Sequence, residues 1–466
     1  MNTPFTPELL SPAGTLKSMR YAFAYGADAV YAGQPRYSLR VRNNEFNKLD
    51  NLAAAVEEAH GMGKQFYLAS NLSPHNDKVR SYIRDLEPVI DMGPDALIMS
   101  DPGLIMMVKD RWPEQEVHLS VQANAVNWAS VKFWERQGIS RVILSRELSL
   151  DEIEEIRQQC PDMELEVFVH GALCIAYSGR CLLSGYMTHR DSNQGACTNS
   201  CRWEYNAHNA KENETGDLIA VDQPQGIRSS DDPVNTDELA AVYTPENYDP
   251  SGVNEVEPVL LQEKNRPGEL MPAYEDEHGT YIMNSKDLRA VQHVERLVNM
   301  GIHSLKIEGR TKSHYYVART AQVYRRAIDN AVAGKPFDFN LMAELEHLAN
   351  RGYTEGFYRR HVPSEYQNYE KGVSSNPNQQ FVAEVHGSDG NRLHLEVKNR
   401  FSVGDKLELI SPQGNHSFTL EHMLDKHGHD ANIAPGSGHQ VSVDLPEHIQ
   451  LRDGDADYTL LMRYTA

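Results

Sequence analysis

The stretch "LEVFVHG", Leu165 to Gly171, decides how this chain is read. Val167 and Val169 alternate with Glu166, Phe168 and His170, which is the two-residue period of a strand whose successive side chains point to opposite faces. The valines suit a face covered by helices, and Glu166, Phe168 and His170 are expected to share the interior face. "SLKIEGR", Ser304 to Arg310, repeats the arrangement, with Lys306 and Glu308 on the face opposite Leu305 and Ile307. Both strands therefore point charge toward an enclosed space. Structural ion pairing among these charges is the plain alternative to a functional use.

Six further runs of the same kind precede these two: Glu8 to Gly14, Asp28 to Gly33, Gln65 to Asn71, Asp95 to Asp101, Glu116 to Gln122 and Arg141 to Glu147. Between the runs lie segments of helical periodicity, such as "LDNLAAAVEEAHGMG" and "SLDEIEEIRQQC", several of them stopped by glycine. Eight β/α units predict an α/β fold, a TIM-like (β/α) barrel, with a doubly wound parallel sheet as the alternative. In a barrel the C-terminal ends of the strands carry the chemistry. That rim would show Ser11, Asn71, Asp101, Gln122, Arg146, His170, Glu308 and Arg310.

The barrel pattern lapses from about 206 to 280, an acid-, proline- and asparagine-rich stretch that reads as an irregular insertion in the seventh β/α connection. Short alternating runs return after the polar linker "EKGVSSNPNQQ" and are separated by turns such as "SDGN" and "SVGD", as in a small antiparallel β-barrel. The expected organisation is a barrel domain over 1–375 and a C-terminal domain over 376–466. A chain of 466 residues accommodates both cores.

The net charge of -21 opposes nonspecific attraction to nucleic acid or an anionic membrane, so any polynucleotide partner needs a local basic site. One such cluster is "RYSLRVRNNEF". It groups Arg36, Arg40 and Arg42 with Tyr37 and Phe46, the composition of a phosphate-plus-stacking contact to single-stranded RNA. A solvated loop is the commoner explanation. No apolar run is long enough to cross a bilayer, and the N-terminus shows no secretory pattern, so a cytoplasmic location is expected.

In a reducing compartment five cysteines are better metal ligands than disulfide partners. Cys174, Cys181, Cys197 and Cys201 fall within thirty residues just after the seventh strand. A four-cysteine zinc site and an iron-sulfur cluster both suit four thiolates. Structural zinc prefers pairs two to four residues apart, a spacing that Cys197 and Cys201 alone meet; the wider first gap suits a cluster better. Cys160 is expected to be an ordinary packed thiol.

The run Glu166, Phe168, Gly171, Ala172, Leu173, Cys174, Gly179, Cys181 and Ser184 resembles the signature of the collagenase-like, U32, peptidase family. "SLKIEGRTKSHYYVARTAQVYR" is similar to a second block of that family, and the likeness extends from "ELLSPAGTLKSMRYAFAYGADAVYAG" to the final "YTLLMRY". The resemblance is strongest to a branch that hydroxylates tRNA. It implies formation of 5-hydroxyuridine at the wobble position, dependent on prephenate, independent of oxygen, and served by a 4Fe-4S cluster on Cys174, Cys181, Cys197 and Cys201.

That reading asks for a site that holds a dicarboxylate and a nucleobase. Arg146, Lys306 and Arg310 are candidates for carboxylate or phosphate contacts, with His170 and Glu308 as proton carriers. Arg36, Arg40 and Arg42 are candidates for the tRNA anticodon loop. The family name instead suggests a peptidase; the chain carries neither a His-Glu-x-x-His helix nor a Gly-x-Ser-x-Gly elbow. A noncatalytic iron-sulfur subunit that needs a protein partner is the third possibility.

Overall fold

Five of the strand-to-helix turns are set by a local device. The side chains of Thr15, Asp101, Asn127, Ser149 and Ser313 each accept a backbone N–H in the first turn of the helix that follows, and Ser149 forms a full capping box with Glu152. Such caps contribute about 1 kcal/mol apiece. They fix where these five helices leave the rim; the helices over Leu49–Gly61 and Asn76–Ile90 start without a side-chain cap.

The computed structural model describes residues 5–38, 44–172, 205–212, 218–220, 225–226, 259–263, 270–276, 279–282, 287–310, 312–348, 352–359, 379–449 and 455–465. Cys174, Cys181, Cys197, Cys201, Arg40 and Arg42 lie outside the described residues.

The chain runs β1 (Glu8–Pro12), α1 (Leu16–Ala24), β2 (Ala29–Gly33), α2 (Leu49–Gly61), β3 (Gln65–Ala69), α3 (Asn76–Ile90), β4 (Ala96–Met99), α4 (Pro102–Arg111), β5 (Val117–Leu119), α5 (Trp128–Arg136), β6 (Arg141–Ile143), α6 (Leu150–Gln159) and β7 (Glu164–Ala172). The inserted region contributes β8 (Tyr205–Glu212), β9 (Leu218–Ala220), β10 (Gln225–Gly226), β11 (Val259–Glu263), β12 (Leu270–Asp276) and β13 (Gly279–Ile282). Then come β14 (Asp287–Arg289), α7 (Val294–Asn299), β15 (Ser304–Ile307), α8 (His314–Val332), α9 (Asn340–Glu346) and β16 (Tyr353–Thr354).

Strands β1 to β7 pair in parallel in sequence order, and β15 pairs in parallel with both β7 and β1. This closes an eight-stranded parallel barrel from the eight strands the alternation predicted. The strands are almost wholly buried because helices cover one face and the lumen side chains fill the other. Within the insertion the described segments pair as an antiparallel sheet of order β10-β8-β11-β12-β13, with β9 on β8. Its strands carry many polar residues and β10 and β11 are separated by a long acid- and proline-rich stretch, so composition averaged over the region hides them. β14 runs antiparallel to the end of β7 and carries β16 on its other edge.

The C-terminal region forms β17 (Gln379–Asp389), β18 (Arg392–Val397), β19 (Phe401–Ser402), β20 (Lys406–Ser411), β21 (Gly414–Thr419), β22 (Met423–Asp425), β23 (Ile433–Ala434), β24 (Gln440–Asp444) and β25 (Leu460–Tyr464). Seven of these make an antiparallel sheet of order β21-β20-β25-β17-β18-β24-β22, and β19 pairs with β23. The sheet encloses its own core of Val382, Leu395, Phe401, Leu409 and Leu461. Ile410, Leu460 and Met462 instead join the barrel core. Arg319 of α8 reaches Glu408 at 3.4 Å across this junction, and the Tyr25 hydroxyl donates to Tyr458 O at 2.7 Å. Among the described residues no helix is long and apolar enough to cross a membrane.

Candidate active site

The lumen is a ladder of charge. At its base Arg141 reaches Glu8 at 2.6 Å, Glu164 at 2.8 Å and Glu166 at 3.4 Å, and its guanidinium lies over the Tyr67 ring. Ser304 Oγ and the Tyr67 hydroxyl both donate to Glu8, so the N-terminal end of the barrel is filled by satisfied polar groups. One layer higher, Lys306 Nζ donates to Glu166 Oε1 at 2.7 Å, with both side chains almost fully buried. Burial opposes ionisation of Glu166, but the positive charges of Lys306 and Arg141 outweigh it and hold the carboxyl below its usual range.

Above this pair the mouth opens. Arg146 Nη2 donates to Glu308 Oε2 at 3.1 Å while its guanidinium carbon sits 3.7 Å from the Phe168 ring centre. The Lys306 ammonium lies 4.3 Å from the centre of the Tyr31 ring, and Arg310 Nη1 donates to Ser38 Oγ at 2.8 Å. Arg146, Lys306, Glu308 and Arg310 are thus brought together by the ends of β6 and β15. Lys306 stands one layer beneath the other three.

Two glycines make this close assembly feasible. Gly171 has φ +104°, and a Cβ there would fall 2.5 Å from Glu308 O, so β7 presses directly on the backbone that carries Glu308. Tyr316 OH donates to the same carbonyl at 2.8 Å. At the end of β2 a Cβ on Gly33 would lie 2.8 Å from both Arg310 Nη1 and Ser38 Oγ. A bare backbone there is what seats the guanidinium.

His170 departs from the expected interior face. Pairing of β7 with β15 shifts register between Lys306 and Ile307, so Phe168 faces Lys306 but His170 faces Ile307. The extra residue turns His170 out of the lumen. Its ring packs with those of Tyr316, Tyr324 and Tyr353, and its Nδ1 is 3.4 Å from the Tyr324 hydroxyl, which donates to Val169 O. Burial, helped by the nearby Arg289 and Lys312 charges, pulls the imidazole down to about 3. It is a neutral ring behind the wall, not a proton carrier in the mouth.

The arginine-aromatic cluster is also corrected. Tyr37 and Phe46 are buried, Tyr37 donating to Asp85 at 2.8 Å and packing edge-on against Tyr82, and Phe46 meeting Phe66. Neither ring is available to stack on a base. Arg36 is exposed and pairs with Asp85 at 3.0 Å. Cys160 is packed as expected, its thiol 3.6 Å from Trp128 O. Sequence reading missed Glu8, Gly33, Ser38 and Arg141 as partners of the lumen charges, as well as Tyr31. The alternation of Ala29, Tyr31 and Gly33 on one face of β2 was the available signal for two of them.

Closed parallel strands, covering helices and a cationic mouth at the strand C-termini define a (β/α) barrel whose polar side chains converge where such folds hold ligands. The chain belongs to peptidase family U32: that family's profile matches residues 14–368, and the profile of the U32 C-terminal domain matches 377–456. The chain is 61% identical over 460 residues to the tRNA hydroxylation protein P of Escherichia coli, covering 98% of this chain and 97% of that protein. Against the protein of the same name from Haemophilus influenzae it is 58% identical, covering 99% of this chain and 97% of the other. The 23S rRNA 5-hydroxycytidine synthase of Escherichia coli is 29% identical, over 78% of this chain and 44% of that protein.

Proposed function

We propose that this chain is a tRNA-modifying hydroxylase that forms 5-hydroxyuridine at the wobble position, dependent on prephenate and independent of oxygen. The observation that carries the reading is near-full-length identity of 61% to a tRNA hydroxylation protein. The cationic mouth supports it, because guanidinium groups beside aromatic faces suit an anionic co-substrate. Residues 1–375 would form the catalytic domain and 376–466 an accessory domain, in the cytoplasm.

Cys174, Cys181, Cys197 and Cys201 would hold a 4Fe-4S cluster. The donor chemistry fits: β7 ends at Ala172, two residues before Cys174, and the one described cysteine, Cys160, is buried elsewhere. When bound, the cluster supplies Lewis-acid iron and a one-electron redox centre. Arg146 and Arg310 bind the anionic co-substrate, Lys306 sets the charge beneath it, and Glu308 exchanges a proton at its carboxylate. His170 is a positioning residue that supports the strand leading to Cys174. With Tyr37 and Phe46 in the core, contact to the anticodon loop is by phosphate pairing with Arg36, Arg40 and Arg42.

The test is anaerobic incubation of the purified chain with prephenate and tRNA lacking 5-hydroxyuridine, read by mass spectrometry of the nucleosides. A gain of one hydroxyl supports the reading, and its loss together with iron in Cys174→Ala ties it to the cluster. Full activity of an iron-free Cys174→Ala protein removes the cluster from the mechanism. Activity that needs a second protein favours the subunit reading, and digestion of casein by pure protein revives the peptidase.

A further inference from the structure

Asp85 of α3 carries two guanidinium groups on one carboxylate. Arg36 Nη1 donates to its Oδ2 at 3.0 Å, and Arg84 donates to its Oδ1 from Nε at 3.3 Å and from Nη2 at 3.2 Å. The carboxylate is held from its buried side, where the Tyr37 hydroxyl donates to Oδ2 at 2.8 Å and lies 2.9 Å from Ser81 Oγ. The Asp85 side chain is 16% exposed, against 65% for Arg36 and 77% for Arg84. One part-buried anion thus sets two cations side by side at the surface.

The place is beside the barrel mouth. Ser38, which receives Arg310 Nη1 at 2.8 Å, stands two residues from Arg36, and two residues span at most about 7 Å. Tyr37 between them is pinned, with Leu72 N donating to its carbonyl at 2.9 Å. Arg36 itself has φ +66°, in the left-handed region that favours glycine. A long side chain is therefore kept where the backbone prefers none. On α3, Arg80 is exposed one turn before Arg84, a like-charged pair at i,i+4 that weakens a helix. Neither feature stabilises the fold, and both gather positive charge in a chain whose net charge is -21. A guanidinium offers five N–H donors in a fork that fits phosphate oxygens, so one engaged by Asp85 at one edge presents another edge outward.

Building on the hydroxylase reading, we propose that Arg84, with Arg80 one turn before it, extends the grip on the RNA backbone from the β2 loop onto α3, and that Asp85 is the positioning residue that sets Arg84 beside Arg36 to clasp one phosphate group next to the mouth. The Asp85 carboxylate then serves RNA binding although it carries the same sign of charge as RNA.

The experiment is filter binding of the full chain to tRNA lacking 5-hydroxyuridine, over a series of KCl concentrations. Arg84→Gln is expected to weaken binding about three- to tenfold and to lower the slope of log affinity against log salt by about one, as loss of a phosphate contact requires. Arg80→Gln is expected to weaken it about twofold. Arg36→Gln combined with Arg84→Gln is expected to lose less than the product of the single losses, because both side chains hold the same phosphate. Asp85→Asn separates placement from charge. Removal of a negative charge by itself tightens RNA binding, whereas loss of the clasp weakens it, here by about threefold or more, and Asp85→Glu is expected to recover part of that loss. Arg80 and Arg84 are exposed, so their variants carry the test where Asp85→Asn does not fold. Wild-type affinity and salt slope in Arg84→Gln overturn the proposal, as does tighter binding by Asp85→Asn or equally tight, Arg84-dependent binding to phosphatidylserine vesicles. Arg84-dependent tRNA binding without hydroxylation sinks the hydroxylase reading and keeps this one; hydroxylation with unchanged binding in Arg84→Gln does the reverse.

Discussion

Lys306 Nζ lies 2.7 Å from Glu166 Oε1 on adjacent barrel strands, and both side chains are shut off from solvent. Glu166 is compensated by Lys306 and, at 3.4 Å, by Arg141, and Glu166 is the nearest counter-ion of Lys306.

Lys306→Met is therefore expected to destabilise the chain by about 3–5 kcal/mol, since it strands Glu166 without its nearest counter-ion. Adding Glu166→Gln is expected to recover part of that loss. Urea denaturation of the two variants checks the order, and a single variant as stable as wild type counts against a paired lumen.

His170 is held neutral by burial down to about 3, against 6.5 for the free side chain. The unfolded chain binds a proton below about 6.5 and the folded chain does not, so this residue makes stability fall as pH drops from 6.5 toward 3, by about 1.4 kcal/mol per pH unit. Imidazole NMR signals of His170 are expected to stay at the neutral position from pH 8 to 5. A midpoint near 6.5 contradicts the packing described.

Burial pushes the Glu384 carboxyl up, but the His314 imidazole 2.7 Å away and the hydrogen bond from Lys17 prevail and bring it to about 2, from 4.5. A depressed carboxylate stabilises the fold fully above about 4.5 and loses that contribution as pH falls through 2. Because Glu384 belongs to β17 and its partners to α1 and α8, the bond joins the C-terminal sheet to the barrel. The gap in thermal midpoint between wild type and Glu384→Gln is expected to be widest near pH 6 and to close on acidification; a gap independent of pH refutes it.

Tyr37→Phe removes bonds to Asp85 and Ser81 and keeps the buried ring. It is expected to cost about 1 kcal/mol of stability and to leave tRNA affinity within about twofold in a filter-binding assay. A large loss of affinity restores the stacking role that burial argues against.

The eight barrel strands were legible because alternation and glycine stops are local, and a parallel strand under helices must be apolar on its outer face. Arg146, Glu308 and Arg310 were legible as rim residues for the same reason. The strands of the insertion were not, since their own polar residues and the acidic connection between β10 and β11 dilute the pattern. Nor was the fate of Tyr37, because "RYSLRVRNNEF" has the same composition whether its rings face water or Tyr82 and Phe66.

Local chemistry along the chain dictated the eight strands and the helices between them, the caps that start five of those helices, and the set of charges carried to the rim; closure into a barrel rather than an open doubly wound sheet, and the order of its strands, came from the pairing of β15 with both β7 and β1. Partnership was settled in three dimensions. Arg146 and Glu308 stand 162 positions apart and meet only when β15 closes between β7 and β1. A one-residue register shift in that same pairing turns His170 to the outer face, and such a shift depends on how two distant strands fit rather than on either strand's own residues.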